Sequence, residues 1–325
     1  MPSHTSSKSR IPTSGVWCPA ITFFNHETDS LDLDAQSRYF AYLSTTGLTG
    51  LVILSTNSEA FLLTHEERKQ LVATAREAVG PDYPLMVGVG AHSTKQSLEL
   101  AQDAAAAGAD YVLVLPPAYF GKATSMAVVK RFFAAFAAQS PLPVVIYNFP
   151  GVTNGVDIDS ETMTAIVQES KATSGTSNVV GVKLTCASVG KITRLAATFS
   201  PSEFAIFGGQ SDFLIGGLAA GSAGCIAAFA NVFPKLTSKI YQLYKTGRFD
   251  EAMSLQQKAA LAESPCKSGI ASTKYAVACY SATAAGIADA EAKLAPRHPY
   301  GSVNEEMKQG VKAAMDKLAE IEESL

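Results

Sequence analysis

The chain has 325 residues, 47% of them hydrophobic, and a mean hydropathy of +0.13, which excludes a disordered chain and allows a large core. A formal net charge of −3 and a pI near 6.0 give no electrostatic reason to bind nucleic acid or an anionic membrane, and neither partner is expected. Its five cysteines and five histidines are scattered without CxxC or HExxH, so no metal site is expected, and no apolar run reaches the ~20 residues that span a bilayer.

The opening "MPSHTSSKSR" is basic and hydroxyl-rich but has no apolar stretch of the kind a secretory signal needs. Residues 1–12 are expected to form a flexible tail. The unpaired cysteines (Cys18, Cys186, Cys225, Cys266, Cys279) suit a reducing compartment. The cytosol is the expected location, with the mitochondrial matrix as the alternative because a presequence shares the composition of the tail.

Eight β-type runs follow, at 15–24, 47–55, 84–91, 109–117, 142–150, 179–186, 204–210 and 224–231. Helical patterns separate them. Thr64 and Glu67 have the spacing of a capping box, as do Ser93 and Gln96. Gly47, Gly80 and Gly108 are placed to end helices in the left-handed conformation. Apolar strands each followed by a helix imply parallel pairing buried on both faces, and eight such units over roughly 220 residues match a (β/α)8 barrel spanning 13–234. A doubly wound sheet is the alternative, but "CPAITFFNHETDS" carries no glycine fingerprint and "GVGAHS" lacks a third glycine. Beyond Pro234 three helices are expected, at 235–258, 265–286 and 303–323, forming a C-terminal helical subdomain over 235–325.

Barrel active sites lie at the carboxyl ends of the strands. In "VVGVKLTC" (179–186) strict alternation puts Val179, Gly181, Lys183 and Thr185 on one face and Val180, Val182 and Leu184 on the other. A lysine inside so apolar a run could simply end its strand and reach solvent. Facing the lumen beside Tyr147 of the preceding strand, it would instead be a Schiff-base nucleophile, since burial favours the neutral amine and a tyrosine can relay protons.

The strand-end segments "STNSE" (55–59), "LPPAYF" (115–120), "YNFP" (147–150), "GVKL" (181–184) and "GSAGCI" (221–226) resemble, in this order, the dihydrodipicolinate synthase / N-acetylneuraminate lyase superfamily of class I, pyruvate-handling aldolases. The resemblance runs from about residue 12 to nearly the end of the chain. It implies that Lys183 forms an imine with C2 of a small 2-oxo acid and that Tyr147 relays protons. Thr56 would hydrogen-bond Tyr147 and, with the backbone of Asn57, hold the substrate carboxylate; an ordinary turn is the alternative for both. Tyr119 corresponds to a tyrosine that the family often lends to a neighbouring subunit, with plain loop packing as the alternative. The expected assembly is accordingly a homotetramer built as a dimer of dimers. Ser55, Thr185, Gly209, Gln210 and Ile226 are the remaining candidate substrate contacts. Thr185, Gln210 and the neighbouring Ser211 could instead serve the next helix, Ser211 as its N-cap. The imine supplies the electron sink, so no cofactor is expected.

Three departures narrow the function. "LTC" replaces an acidic or amide residue after the lysine, and "KATSGTSNVV" (171–180) looks like an inserted loop. Val152 stands where dihydrodipicolinate synthases have an arginine for the second substrate's carboxylate, and a valine cannot make that bidentate bond. The "GVKLTC…GKITR" run is similar to aldolases that cleave 2-keto-3-deoxy-L-galactonate to pyruvate and L-glyceraldehyde, which is the expected activity. 4-Hydroxy-2-oxoglutarate cleavage is the alternative, then dihydrodipicolinate synthesis. A non-catalytic 2-oxo-acid-binding relative would have lost Lys183 or Tyr147, and both are present.

Overall fold

Eight short parallel strands close into a barrel in the computed structural model, which describes residues 9–325. In chain order they are β1 (Gly15–Pro19), β2 (Gly50–Ile53), β3 (Leu85–Gly88), β4 (Tyr111–Val114), β5 (Val144–Asn148), β6 (Val179–Leu184), β7 (Ala205–Gly208) and β8 (Gly224–Ile226). Each strand pairs with its neighbours in sequence, and β8 closes on β1 through Trp17↔Ile226. Every strand residue is buried, as a parallel sheet covered on both faces requires. The strands are shorter than the apolar runs because pairing stops where the chain leaves the barrel. The run at 15–24 gives only β1, then a two-residue hairpin of Phe24–Asn25 with Ser30–Leu31, and 224–231 gives β8 and a 3₁₀ turn, Ala228–Asn231.

Seven helices alternate with these strands: α1 (Leu33–Ser44), α2 (His65–Val79), α3 (Thr94–Ala106), α4 (Met126–Ala137), α5 (Ser160–Ser174), α6 (Val189–Thr198) and α7 (Leu214–Ala219). Thr64 and Glu67 form the full capping box on α2. On α3 Ser93 accepts from the Gln96 N–H, but its reciprocal partner is the Gln96 side chain rather than a second backbone bond. The segment 171–180 is only partly loop. It comprises the last turn of α5, closed by Gly175 at φ 76°, a short connection over 175–178, and the start of β6.

Strict alternation fails once, on β6. The register with β5 shifts between Val144 and Val145, whose partners are Val179 and Gly181, so Val180 is an extra residue. This bulge resets the phase. Val180 therefore packs in the lumen with Val145 and Tyr147, while Val179, Val182 and Leu184 face the helices. Lys183 still lies opposite Tyr147 in the register.

At the amino-terminal end of the barrel Trp17 meets Tyr111 edge-on at 6.1 Å and Phe207 at 6.3 Å. The Tyr111 hydroxyl donates to the Ser9 carbonyl at 2.6 Å and Trp17 Nε1 to the Thr13 carbonyl at 3.0 Å, so residues 9–13 are fastened beneath the lumen. Of the tail expected over 1–12, residues 1–8 lie outside the described residues and 9–12 are held by these bonds.

The C-terminal subdomain is more divided than expected. The helix anticipated over 235–258 is two, α8 (Pro234–Lys245) and α9 (Phe249–Glu263), separated at Gly247 with φ 78°. A 3₁₀ turn, Ser264–Ser268, then leads to α10 (Ile270–Cys279), α11 (Ser281–Ala284), α12 (Ala290–Lys293) and α13 (Glu305–Ser324). Glu322 of α13 accepts the Lys235 and Leu236 N–H groups at 2.9 and 2.7 Å, which caps α8 and ties the last helix to the first of the subdomain.

Candidate active site

Lys183 sits at the carboxyl end of β6 and is only 3% exposed. Its Nζ lies 4.2 Å from the centre of the Tyr147 ring on β5. No carboxylate pairs with it among the described residues. An unpaired buried lysine is costly unless it is used. The neighbouring Lys191, by contrast, is tied to Asp157 and to the Ile158 carbonyl at 2.8 Å.

The Tyr147 hydroxyl is 3.3 Å from Thr56 Oγ1, and Phe149 packs against its ring at 5.9 Å. Thr56 and Asn57 lie in a 3₁₀ turn, Thr56–Ser58, held by Thr22 Oγ1 donating to the Ser58 carbonyl (2.7 Å) and Ser58 Oγ donating to the Ala20 carbonyl (2.6 Å). Two non-glycine residues in left-handed conformation, Leu54 (φ 59°) and Glu59 (φ 53°), bracket this turn. Such strain persists only where the surroundings over-determine it, which is common around binding loops. A recess lined by Ser55, Thr56, Phe61, Leu115 and Tyr147 opens at this point.

Ser55 Oγ and Thr185 Oγ1 are buried without any hydrogen-bond partner. Buried hydroxyls are normally satisfied, so these two, one past the end of β2 and one two residues beyond Lys183, are donors open to a bound molecule. Gly209 packs directly on Thr185: a Cβ there would come within 1.9 Å of Thr185 Oγ1, so only glycine allows β7 this approach. Gln210 follows, half-buried at the mouth, and Ile226 is fully buried in the lumen.

The structure thus brings Lys183, Tyr147 and Thr56 together and places Ser55, Asn57, Thr185, Gly209 and Gln210 on the surrounding strand ends. Tyr119 is 72% exposed and its ring contacts are His92 at 5.9 Å and Phe120 at 5.2 Å, away from Lys183 and Tyr147 of its own chain, as a side chain meant for a neighbouring subunit would be. One expectation takes a different form. Ser211 is not an N-cap: α7 has Phe213 in that position, and the Ser211 hydroxyl is bound elsewhere, to Glu263.

Several residues escaped the sequence reading. Lys274 of α10 is completely buried and donates to Glu59 Oε1 at 2.6 Å, while the Arg297 N–H donates to Glu59 Oε2 at 2.8 Å. Burial pulls the Lys274 ammonium down to about 8, against the opposing pull of Glu59. Arg68 is buried beside the same turn, donates to the Ala60 and Gly88 carbonyls at 3.0 and 2.8 Å, and is pulled down to about 10 by burial. Glu59 stood within the "STNSE" segment, which was a usable signal. Lys274 lies more than 200 positions away, and nothing in its helical pattern points to a barrel loop. Among the described residues no group of three or more His, Cys, Asp or Glu could hold a metal ion, and no helix is long and apolar enough to cross a membrane.

Comparison with known proteins agrees with this fold. The dihydrodipicolinate synthetase family profile matches residues 12–318. A Coccidioides immitis (strain RS) protein named "Putative 4-hydroxy-2-oxoglutarate aldolase, mitochondrial" is 67% identical over 316 residues, covering 97% of this chain and 99% of its own. A Hypocrea jecorina protein named L-threo-3-deoxy-hexylosonate aldolase is 37% identical over 278 residues, covering 82% of this chain and 86% of its own. A crystal structure from Coccidioides immitis, described as "a putative dihydrodipicolinate synthase family protein", superposes with a TM-score of 0.91 at 64% identity over 97% of this chain and 99% of that one.

Proposed function

The chain belongs to the dihydrodipicolinate synthetase family of class I, pyruvate-dependent aldolases, and from that premise we propose that it cleaves 4-hydroxy-2-oxoglutarate to pyruvate and glyoxylate. The observation that carries the substrate is the 67% identity over nearly the whole of both chains. The relative named for the deoxyhexulosonate is far more distant at 37%, so the first expectation from the sequence, 2-keto-3-deoxy-L-galactonate, becomes the second reading.

The proposed chemistry follows the placement of the side chains. The Lys183 amine attacks C2 of the 2-oxo acid and water is lost to leave the protonated imine. Tyr147, oriented by Thr56, takes the proton from the C4 hydroxyl as the C3–C4 bond breaks, its electrons passing into the imine to give an enamine. Glyoxylate leaves, the enamine is protonated at C3, and hydrolysis frees pyruvate and the amine. The Thr56–Asn57 turn would hold the C1 carboxylate. The orphan hydroxyls of Ser55 and Thr185 offer donors to the distal oxygens, each such bond to a charged group being worth about 1.5–3 kcal/mol. Val152, 44% exposed, leaves no cation at the position where dihydrodipicolinate synthases grip their second substrate, so in this reading the distal carboxylate is held by neutral donors such as these hydroxyls and not by an arginine.

The test joins mechanism to substrate. Pyruvate and borohydride should leave a stable adduct that peptide mapping places on Lys183. Pyruvate release from 4-hydroxy-2-oxoglutarate should outpace release from 2-keto-3-deoxy-L-galactonate; the reverse order would restore the second reading. Labelling of Lys191, or none, would remove the mechanism. The same relative moves the expected compartment from the cytosol to the mitochondrion, since its name carries that location. A C-terminally tagged chain found in the cytosol would reverse this.

A further inference from the structure

Ser211 lies just past the end of β7, and one helix of the C-terminal subdomain engages all of its polar groups. Its Oγ donates to Glu263 Oε2 at 2.6 Å and its N–H to Glu263 Oε1 at 3.3 Å, while its carbonyl accepts from Gln256 Nε2 at 2.8 Å. Gln256 and Glu263 are seven residues apart on α9, about two turns, and so share a face. Glu263 is 3% exposed. The groups that face it are Ser211 and Asp212 from the turn, Lys267 and Cys266 from the segment after α9, and Cys225 from β8. Lys267 is already engaged with Asp212, so the nearby cation does not bind Glu263 directly.

A buried carboxylate held by neutral donors is a costly way to dock a helix, because apolar contacts would hold it at least as well. What it adds is direction: it fixes where Ser211, and the turn before it, must sit. That turn is Gly209 and Gln210, and Gly209 lies so close to Thr185 that no Cβ fits between them. Any displacement of the turn therefore moves Gln210 relative to Thr185, whose hydroxyl is one of the two orphans of the site.

We propose that Glu263 is a positioning residue for substrate recognition: through Ser211 it sets the 209–211 turn against Thr185 and thereby the affinity for the aldehyde half of the substrate. This deepens the aldolase reading and rests on it. The device is sensitive to pH. Burial, opposed by the Ser211 hydroxyl and reinforced by Asp212, pushes the Glu263 carboxyl up to about 7. Ionised, its two oxygens accept both Ser211 donors in charge-assisted bonds; protonated, Oε2 donates to the Ser211 hydroxyl instead and both bonds become neutral and weaker. The turn is thus held more tightly above neutrality than below it.

The experiment uses Glu263→Gln in the full chain. KM for 4-hydroxy-2-oxoglutarate should rise about tenfold, the loss of roughly one hydrogen bond, with kcat little changed. Borohydride trapping of pyruvate on Lys183 should be undiminished, because pyruvate lacks the aldehyde half. Wild-type KM should climb as pH falls through about 7, and the variant should be flat. Ser211→Ala, a milder change, should reproduce the KM rise and the flattened profile, and it stands in if Glu263→Gln does not fold. Hydrogen exchange at 209–213 should quicken below neutrality in the wild type alone. An unchanged KM and pH profile in both variants would overturn the proposal while leaving the aldolase reading intact. A wild type that neither traps pyruvate nor releases it would overturn both.

Discussion

In the proposed mechanism Tyr147 relays protons only if its hydroxyl is aimed, a role for which the 3.3 Å bond to Thr56 is suited. Thr56→Val keeps the shape and removes that bond. It should lower kcat by roughly 10- to 100-fold, within the range general acid–base catalysis supplies, with an unaltered circular dichroism spectrum. Thr56→Ser should recover most of the loss, and an unchanged kcat for the valine variant would show that the tyrosine is oriented by other means. Glu263 makes a second prediction at this scale. Its carboxyl is raised from 4.5 to about 7, so folding favours the protonated form. The stability this contributes is complete below about 4.5 and is lost as pH rises through about 7. A shift of that size amounts to about 3 kcal/mol. Denaturant midpoints of the wild type should therefore fall relative to Glu263→Gln between pH 5 and pH 8. A constant gap would mean that Glu263 ionises at its ordinary pH.

The substrate-side loop between β2 and α2 is an element whose shape is imposed from outside. Leu54 and Glu59 both sit at positive φ, and Glu59 is anchored by Lys274 and the Arg297 backbone. The Arg297 side chain extends the same network to Glu67 at 2.7 Å and Asp29 at 3.0 Å. Lys274→Met would strand a buried carboxylate, which costs about 3–5 kcal/mol when one partner of a buried pair is removed. The variant should unfold at clearly lower denaturant than the wild type, whereas an unchanged midpoint would show that the Arg297 N–H alone satisfies Glu59. Much at this scale was legible in advance. Strand order and the Thr64 cap recur in the structure, and Gly47, Gly80 and Gly108 all take positive φ at or just past helix ends, although Gly80, with ψ 174°, is not in the left-handed helical conformation. The β6 bulge and the break at Gly247 were not legible, since a register shift exists only with respect to a partner strand and one glycine does not by itself end a helix.

The whole molecule presents an aromatic surface that a lone subunit would leave wet. Phe61 is 60% exposed, Tyr119 72% and Phe120 77%, with His92 stacked between Phe61 and Tyr119. Clustered apolar exposure of this kind marks an interaction site. Together with the family resemblance it supports the proposed homo-oligomer, a tetramer assembled from dimers in which this patch, and Tyr119 with it, meets a second copy. Sedimentation should show a dimer or larger species, and Tyr119→Asp should weaken it. A fully active monomer would remove any role for Tyr119 across subunits.

By itself the sequence determined the architecture and the pairing of Lys183 with Tyr147 at the strand ends. Eight apolar runs spaced by amphipathic helices leave few alternatives to a closed parallel sheet, and Lys183 and Tyr147 are each set on strands whose neighbours are dictated by chain order. Both facts are local or sequential, so periodicity and motif order can express them. Only the tertiary structure decided how the site is held. Glu263, Gln256 and Lys274 reach it from helices, and Arg297 from the connection before α13, 45 to 238 positions away from their partners Ser211 and Glu59. Helical period shows which face of such a segment is apolar, but it cannot show which barrel loop a buried charge on that face will meet. That depends on how the C-terminal helices dock, and docking depends on surfaces that exist only after the barrel has closed.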